Sequence, residues 1–334
     1  MPEIDATLAA GLARRFRLVR MLGEGSMGAV FLAEQVAVGN RPVALKVFLR
    51  QLLDEPGFLA RFRDEAAAIG RIRHPHVAAI YETGQGDDGT PYIAMEYLEG
   101  EPLRQTLQRC GPLPVADVAE ILQQAASGLD AAHKLGILHR ELKPDNIFLT
   151  YPDDESVAPA SSPAQAVRAS LVARASPPVP EHGQDGHATR FGRAAAPWKL
   201  QDSPRRPLVV KLLDFGIAKR RESASPPLIG RAPYRSYEQV CGMTSEELDA
   251  RCDIYSLGVV VYEMLTGRVP SDSDSFLGYL RALETPPPFR AVNPHLPALP
   301  EVEKVVMKAL AKDREQRYGS ALDFAREFRQ AARA

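Results

Sequence analysis

Cysteine is scarce in this chain of 334 residues: only Cys110, Cys241 and Cys252 occur, and no two form a CxxC pair. That spacing excludes a zinc ribbon and offers no disulfide framework, so a reducing cytosol is the expected setting, with a cytoplasmic protein as its occupant. Net charge is equally scant, −1 at pH 7 from 41 basic and 42 acidic residues. No overall electrostatic case exists for a nucleic-acid or membrane-surface binder, and any phosphate-binding charge must be local. Long hydrophobic runs are missing too. The longest apolar stretch, residues 254–265, is interrupted by Glu263 and is too short to span a bilayer. The opening Met1-Pro2-Glu3-Ile4-Asp5 is acidic and has no basic segment leading into an apolar core, so neither a secretory signal nor a membrane segment is expected. What is present, 45% hydrophobic and 25% charged residues, suits a sizeable core in one large domain or two intimate lobes.

Residues 16–97 read as strand-rich, with strands predicted at 17–20, 29–32, 42–47 and 92–96. One helix interrupts them: between residues 57 and 72, Phe58, Phe62, Ala66 and Ile69 recur at helical spacing. Beyond Gly100 the pattern turns helical. Val118, Ile121, Leu122, Ala125, Leu129 and Ala132 trace one face of a long helix ending near Gly136, and further helices are predicted at 249–266, 300–312 and 320–332. The expected fold is α+β: a leader over 1–15, a small β-rich lobe with one helix over 16–97, and a larger helical lobe over 98–334. Residues 151–207 interrupt the second lobe. They are dominated by Pro, Ala, Ser and Arg and read as a disordered, passive insertion. The apolar run Ala169-Ser170-Leu171-Val172-Ala173 and Trp198, the only tryptophan, leave a docking or regulatory role open.

Gly23-Glu24-Gly25-Ser26-Met27-Gly28 lies between two predicted strands, where glycines let a backbone approach phosphates that a Cβ would repel. Alone the pattern is weak, since a glycine-containing hairpin turn reads the same way. A dinucleotide-binding βαβ unit is excluded because no helix begins at Gly28. Further along, Val43-Ala44-Leu45-Lys46 puts a lysine in a strand, and Glu65 on the following helix is a candidate partner for it.

The remaining motifs come in a fixed order: Tyr92-Ile93-Ala94-Met95-Glu96-Tyr97-Leu98-Glu99-Gly100, His139-Arg140-Glu141-Leu142-Lys143-Pro144-Asp145-Asn146, Asp214-Phe215-Gly216, Tyr234-Arg235-Ser236-Tyr237-Glu238, Asp253-Ile254-Tyr255-Ser256-Leu257-Gly258 and Arg317. With these, residues 16–328 outside the insertion resemble the bacterial eukaryotic-like, or Hanks-type, serine/threonine protein kinases. The resemblance implies a bilobal fold, ATP and Mg2+ as cofactors, and phosphoryl transfer to hydroxyls of protein substrates. It implies a nucleotide site of Leu22, Gly23, Gly25, Gly28, Val30, Ala44, Lys46, Met95, Glu96 and Leu98. Within it the 92–100 main chain would bond the adenine edge, and Lys46, paired with Glu65, would hold the α- and β-phosphates. By the same resemblance Asn146 and Asp214 hold magnesium, Glu141 stands at the catalytic-base position, and Lys143 is the serine/threonine-type feature. Glu238 is expected to pair with Arg317, and Asp253 to brace the catalytic-loop backbone.

Three residues depart from the family pattern. Glu141 replaces aspartate, Arg231 replaces a threonine, and Tyr237 replaces a proline. Glutamate keeps the charge but moves it, and a displacement of about 1 Å costs around a hundredfold in rate, roughly 2.7 kcal/mol of barrier. A serine/threonine protein kinase of reduced activity is therefore expected. The alternatives are an ATP-binding pseudokinase serving as a signalling switch or scaffold, and a kinase-fold enzyme for a non-protein, anionic substrate. Ser223 and Ser225 are candidate phosphosites, with Arg140 as the receiving cation.

Overall fold

A computed structural model describes residues 10–25, 27–151, 208–216, 233–244, 246–271 and 281–333. The insertion beyond Tyr151, with its 169–173 run and Trp198, and also Ser26, Ser223, Ser225 and Arg231, lie outside these residues. The first lobe is built on a hairpin of β1 (Phe16–Gly25) and β2 (Gly28–Gln35) that closes where Gly25 faces Gly28. β3 (Arg41–Phe48), β4 (Ile80–Gln85) and β5 (Pro91–Glu96) complete an antiparallel sheet in the order β1-β2-β3-β5-β4. The glycine motif thus forms the ends of two paired strands. At Gly28 φ is +150°, and a Cβ would stand 1.9 Å from the Val47 carbonyl oxygen. The close approach of β3 therefore demands glycine there, whatever binds nearby.

Alternation along β3 separates structure from chemistry. Val43, Leu45 and Val47 enter one core cluster with Phe16, Phe31, Tyr92 and Ala94, which leaves Ala44, Lys46 and Phe48 on the opposite face. Phe48 there meets α1 (Phe58–Ile69), whose buried Phe58, Phe62, Ala66 and Ile69 are the predicted stripe. The Phe48 and Phe62 rings are 5.2 Å apart, edge to face, and burying each Phe contributes roughly 1.5–3 kcal/mol. Leu12, 1% exposed, joins the first core cluster, and the Gly11 carbonyl accepts a hydrogen bond from Asp87 at 2.9 Å, so residues 10–15 pack as part of the lobe.

The second lobe opens with β6 (Gly100–Pro102), α2 (Leu103–Cys110) and α3 (Val115–His133). β7 (Ile147–Thr150) pairs with β6 and with β8 (Val209–Leu212). Thr150 lies opposite Val209, so the chain enters and leaves the insertion at one end of a hairpin. After the short α4 (Tyr237–Val240), α5 (Arg251–Thr266) is buried on every side from Cys252 to Thr266, and so shows no polar face. α6 (Phe289–Val292), α7 (Pro300–Ala309) and α8 (Ala321–Ala331) complete the lobe, with α8 against α3 and α7 against α5. α7 stops short of the predicted residue 312: the Ala311 amide turns to the Lys308 carbonyl at 3.3 Å, and the Ala311 and Lys312 carbonyls beyond accept from the Arg317 guanidinium. No helix among the described residues is long and apolar enough to cross a membrane.

Arg317 also forms the expected ion pair, donating from Nη1 to Glu238 Oε1 at 2.6 Å and from Nη2 to Oε2 at 2.9 Å, with side chains 0% and 5% exposed. Breaking a buried pair leaves an uncompensated charge. Glu238→Ala is expected to cost roughly 3–5 kcal/mol in urea unfolding. Lys134→Ala, which removes an exposed i,i+4 partner of Asp130, is expected to cost about 0.5 kcal/mol or less.

Candidate active site

The catalytic-loop motif enters the site from a buried anchor. Asp253, fully buried on α5, accepts from the His139 amide through Oδ2 and from the Arg140 amide through Oδ1, both at 2.7 Å, and from His133 Nε2 at 2.8 Å. These bonds hold Arg140 at φ 62°, a left-handed conformation that a side chain disfavours by roughly 1–2 kcal/mol. The Arg140 carbonyl accepts from Gln239 Nε2 at 3.0 Å, and Gln239 also caps α4 in a reciprocal bond with Ser236. His139 is buried and its Nε2 lies 2.9 Å from the Leu213 carbonyl. A carbonyl only accepts, so Nε2 carries the hydrogen, and burial holds the imidazole pKa below its usual value, favouring the neutral ring.

Past that anchor the candidate residues converge. Asn146 donates from Nδ2 to the Glu141 carbonyl at 2.8 Å, so its Oδ1 is the atom left for a cation. The Asn146 carbonyl accepts from the Leu213 amide at 2.9 Å, which brings the strand before Asp214 alongside the loop. Asp214 also has a left-handed backbone, φ 50°, and its Oδ1 lies 2.8 Å from Lys46 Nζ. Among the described residues the ion pair of Lys46 is with Asp214, because a single ammonium at the floor of the first lobe meets the carboxylate that Leu213 and Asn146 carry up to it. Glu141 and Lys143 form a pair of their own at 3.4 Å, both about one-third exposed.

Sheet register assembles the nucleotide residues in rows. Gly23 lies opposite Val30, Val30 opposite Lys46, and Lys46 opposite Ile93; in the next row Leu32, Ala44, Met95 and Ile80 are neighbours. A Cβ at Gly23 would meet nothing within 4 Å, and one at Gly25 only the Gly28 carbonyl at 4.0 Å. That open backbone, beside Lys46, fits a phosphate chain, and Asn146 Oδ1 with the Asp214 carboxylate fits a magnesium ion. Leu22 is 38% exposed at the rim, and Met95 packs behind the row against the Phe48 cluster. Leu98 follows β5, half-buried. The Glu96 carboxylate turns elsewhere, held by Lys211 at 2.7 and 2.8 Å and by the Ala79 amide at 3.2 Å, and the Glu96 amide donates to the Ala79 carbonyl at 2.9 Å. Lys211, Gln239 and Arg104 were missed in the sequence; none stands in a motif or on a periodic face that would have marked it.

A family model for the protein kinase domain matches residues 16–157 and 200–329. The chain belongs to the protein kinase family. This kinase-family chain is 33% identical over 338 residues to serine/threonine-protein kinase pkn3 of Myxococcus xanthus, covering 98% of itself and 51% of that protein. It is 32% identical over 328 residues to serine/threonine-protein kinase PknB of Mycobacterium tuberculosis, covering 95% and 43%. It thus spans about half the length, or less, of the curated relatives it matches. Among solved structures, the Mycobacterium tuberculosis PknI kinase domain is similar with a TM-score of 0.63 and 26% identity, covering 95% of this chain and 96% of that one.

Burial alone would raise the Asp253 pKa, but the hydrogen bond and charge of His133, with the His139 amide, hold it below the usual carboxylate range. Its contribution to stability is therefore complete above the unfolded value, roughly pH 4, and is lost as pH falls through the lower folded value. Urea midpoints measured from pH 7 to 3 are expected to fall with acid. Asp253→Asn is expected to start lower and to show a shallower acid slope.

Proposed function

We propose that the chain is a serine/threonine protein kinase of reduced activity, working in the cytosol on hydroxyls of protein substrates. The observation that carries this reading is the convergence of Lys46, Asp214, Asn146 and Glu141 from three separate elements, with Lys46 and Asp214 at 2.8 Å. Bound ATP with Mg2+ supplies the transferable phosphoryl group and the cation that neutralises its charge. Gly23, Gly25 and Lys46 would hold the phosphates, Asn146 and Asp214 the magnesium. The main chain of Glu96 and Leu98 would hold the adenine between Leu22, Val30 and Ala44. Glu141 receives the acceptor proton at its carboxylate, and Lys143, 3.4 Å from it, supplies positive charge beside that position. The three free cysteines accord with a reducing compartment.

A second reading, an ATP-binding pseudokinase, draws on the extra methylene at Glu141. Tyr237 gives it little support. The ring lies under Lys312 Nζ, 4.5 Å from the ammonium, and the adjoining Glu238–Arg317 pair forms regardless.

Transfer to generic protein substrates should require Mg-ATP and should be lost in Lys46→Met and Asp214→Ala. Nucleotide binding measured on the same samples separates the two readings, because binding without Asp214-dependent transfer would leave only the pseudokinase. Glu141→Asp is expected to raise turnover by about a hundredfold if carboxylate position limits the wild type. No change in turnover would remove Glu141 as the cause of a slow rate.

A further inference from the structure

Gln239 stands on α4, outside the motif residues that carry the family resemblance, and the two ends of its side-chain amide serve different segments. Its Oε1 accepts from the Ser236 amide at 3.0 Å and from the Ser236 hydroxyl at 3.3 Å, which completes the cap of α4. With the oxygen so placed, Nε2 is the atom that donates to the Arg140 carbonyl at 3.0 Å, 99 residues back in the chain. The base of this strut is itself fixed. Ser236 is fully buried, Glu238 is held by Arg317 at 2.6 and 2.9 Å, and the Tyr234 carbonyl accepts from Ser256 on α5 at 2.8 Å.

The carbonyl that Gln239 takes belongs to the planar peptide group joining Arg140 to Glu141, so its direction sets the plane from which the Glu141 side chain departs. The other end of that plane is held as well. With its hydrogen on Nε2 toward Leu213, His139 presents a bare Nδ1, and the Glu141 amide donates to it at 3.4 Å. Arg140 between them is left-handed, φ 62°, a conformation that persists only where the surroundings impose it. Asp253 fixes the peptide before Arg140 by accepting its amide at 2.7 Å, and Gln239, with the longer His139 contact, fixes the peptide after it.

We propose that Gln239 is a positioning residue: it carries the placement of the segment leading into α4 to the catalytic loop, by orienting the peptide from which Glu141 presents its carboxylate. The value of that orientation for phosphoryl transfer rests on the kinase reading above, whereas the tie between Gln239 and the 140–141 peptide does not. The two tasks of Gln239 are separable. Its oxygen caps α4 and its nitrogen orients the loop, so Gln239→Glu keeps the first and loses the second, because a carboxylate accepts from Ser236 but has no hydrogen for the Arg140 carbonyl.

The test compares the full wild-type chain with Gln239→Glu and Gln239→Met at about pH 7.5, where an introduced carboxyl is ionised. Hydrogen exchange at the Glu141 amide, read by NMR, should quicken about tenfold in both variants while the α5 amides stay unmoved. The thermal midpoint of Gln239→Glu should remain within about 2 °C of wild type. Its kcat at saturating Mg-ATP should fall on the order of tenfold with nucleotide affinity unchanged. In a Glu141→Ala background Gln239→Glu should cost no further kcat, because the carboxylate it positions is gone. If one variant fails to fold, the other carries the same measurements; failure of both assigns Gln239 to stability and overturns the proposal. It is overturned equally by wild-type exchange at Glu141 in Gln239→Glu, by an unchanged kcat, by a kcat loss that tracks a fallen Gln239→Glu midpoint, or by losses that multiply in the double variant. A wild type that transfers no phosphate removes the kinase reading, and quickened Glu141 exchange in Gln239→Glu then still upholds the positioning of the loop.

Discussion

One buried carboxylate sets the position of the catalytic loop. Asp253 has no exposed surface, and an ionised group in such a place persists only if its oxygens are fully bonded. Here they are bonded to the amides of His139 and Arg140 and to His133, so the group that needs partners also dictates where the loop must run. The left-handed turn at Arg140 follows from that demand. His139, held by its amide, then reaches across to Leu213 and brings Asp214 to the same place.

The same helix repeats the device along its length. α5 is apolar enough to be buried all round, and each polar residue on it ties down a segment that would otherwise be a free loop. Ser256 donates to the Tyr234 carbonyl, Glu263 takes Arg104 and Tyr234, and Thr266 donates to the Arg268 carbonyl just past the helix end. Residues that touch no ligand thereby govern those that would. Between the lobes two ion pairs do similar work: Lys46 with Asp214 at the proposed phosphate end, and Glu96 with Lys211 behind the proposed adenine end. Both join a strand of the first lobe to β8 or the residues just after it, so lobe position and site geometry are set by the same contacts.

Much of this was legible in the sequence. The Phe58, Phe62, Ala66, Ile69 stripe and the face from Val118 to Ala132 both gave helices where their periodicity placed them, because hydrophobic burial is nearly the whole reason those elements form. Other features depended on contacts that periodicity does not encode. Leu12 packs beside Phe16 although it precedes the first strand, and α7 ends early, where the Ala311 amide turns to the Lys308 carbonyl. Gly28 answers to the Val47 carbonyl across the sheet as well as to anything bound at the turn. Lys46 meets Asp214, a contact that folding alone brought about.

The sequence by itself determined the class of fold, the order of its lobes and the residue types at the candidate site. These follow from local hydrophobic pattern and from motifs a few residues long. Tertiary structure decided the pairing of those charges that no motif marks. Arg104 and Glu263 are 159 residues apart in the chain, and Lys211 and Glu96 are 115 apart. Ion pairs and hydrogen bonds act over a few ångströms, and between residues so far apart in the chain they carry no trace in sequence spacing. Which carboxylate each cation meets became fixed only when the burial of α5 and the register of the sheet had set the distances.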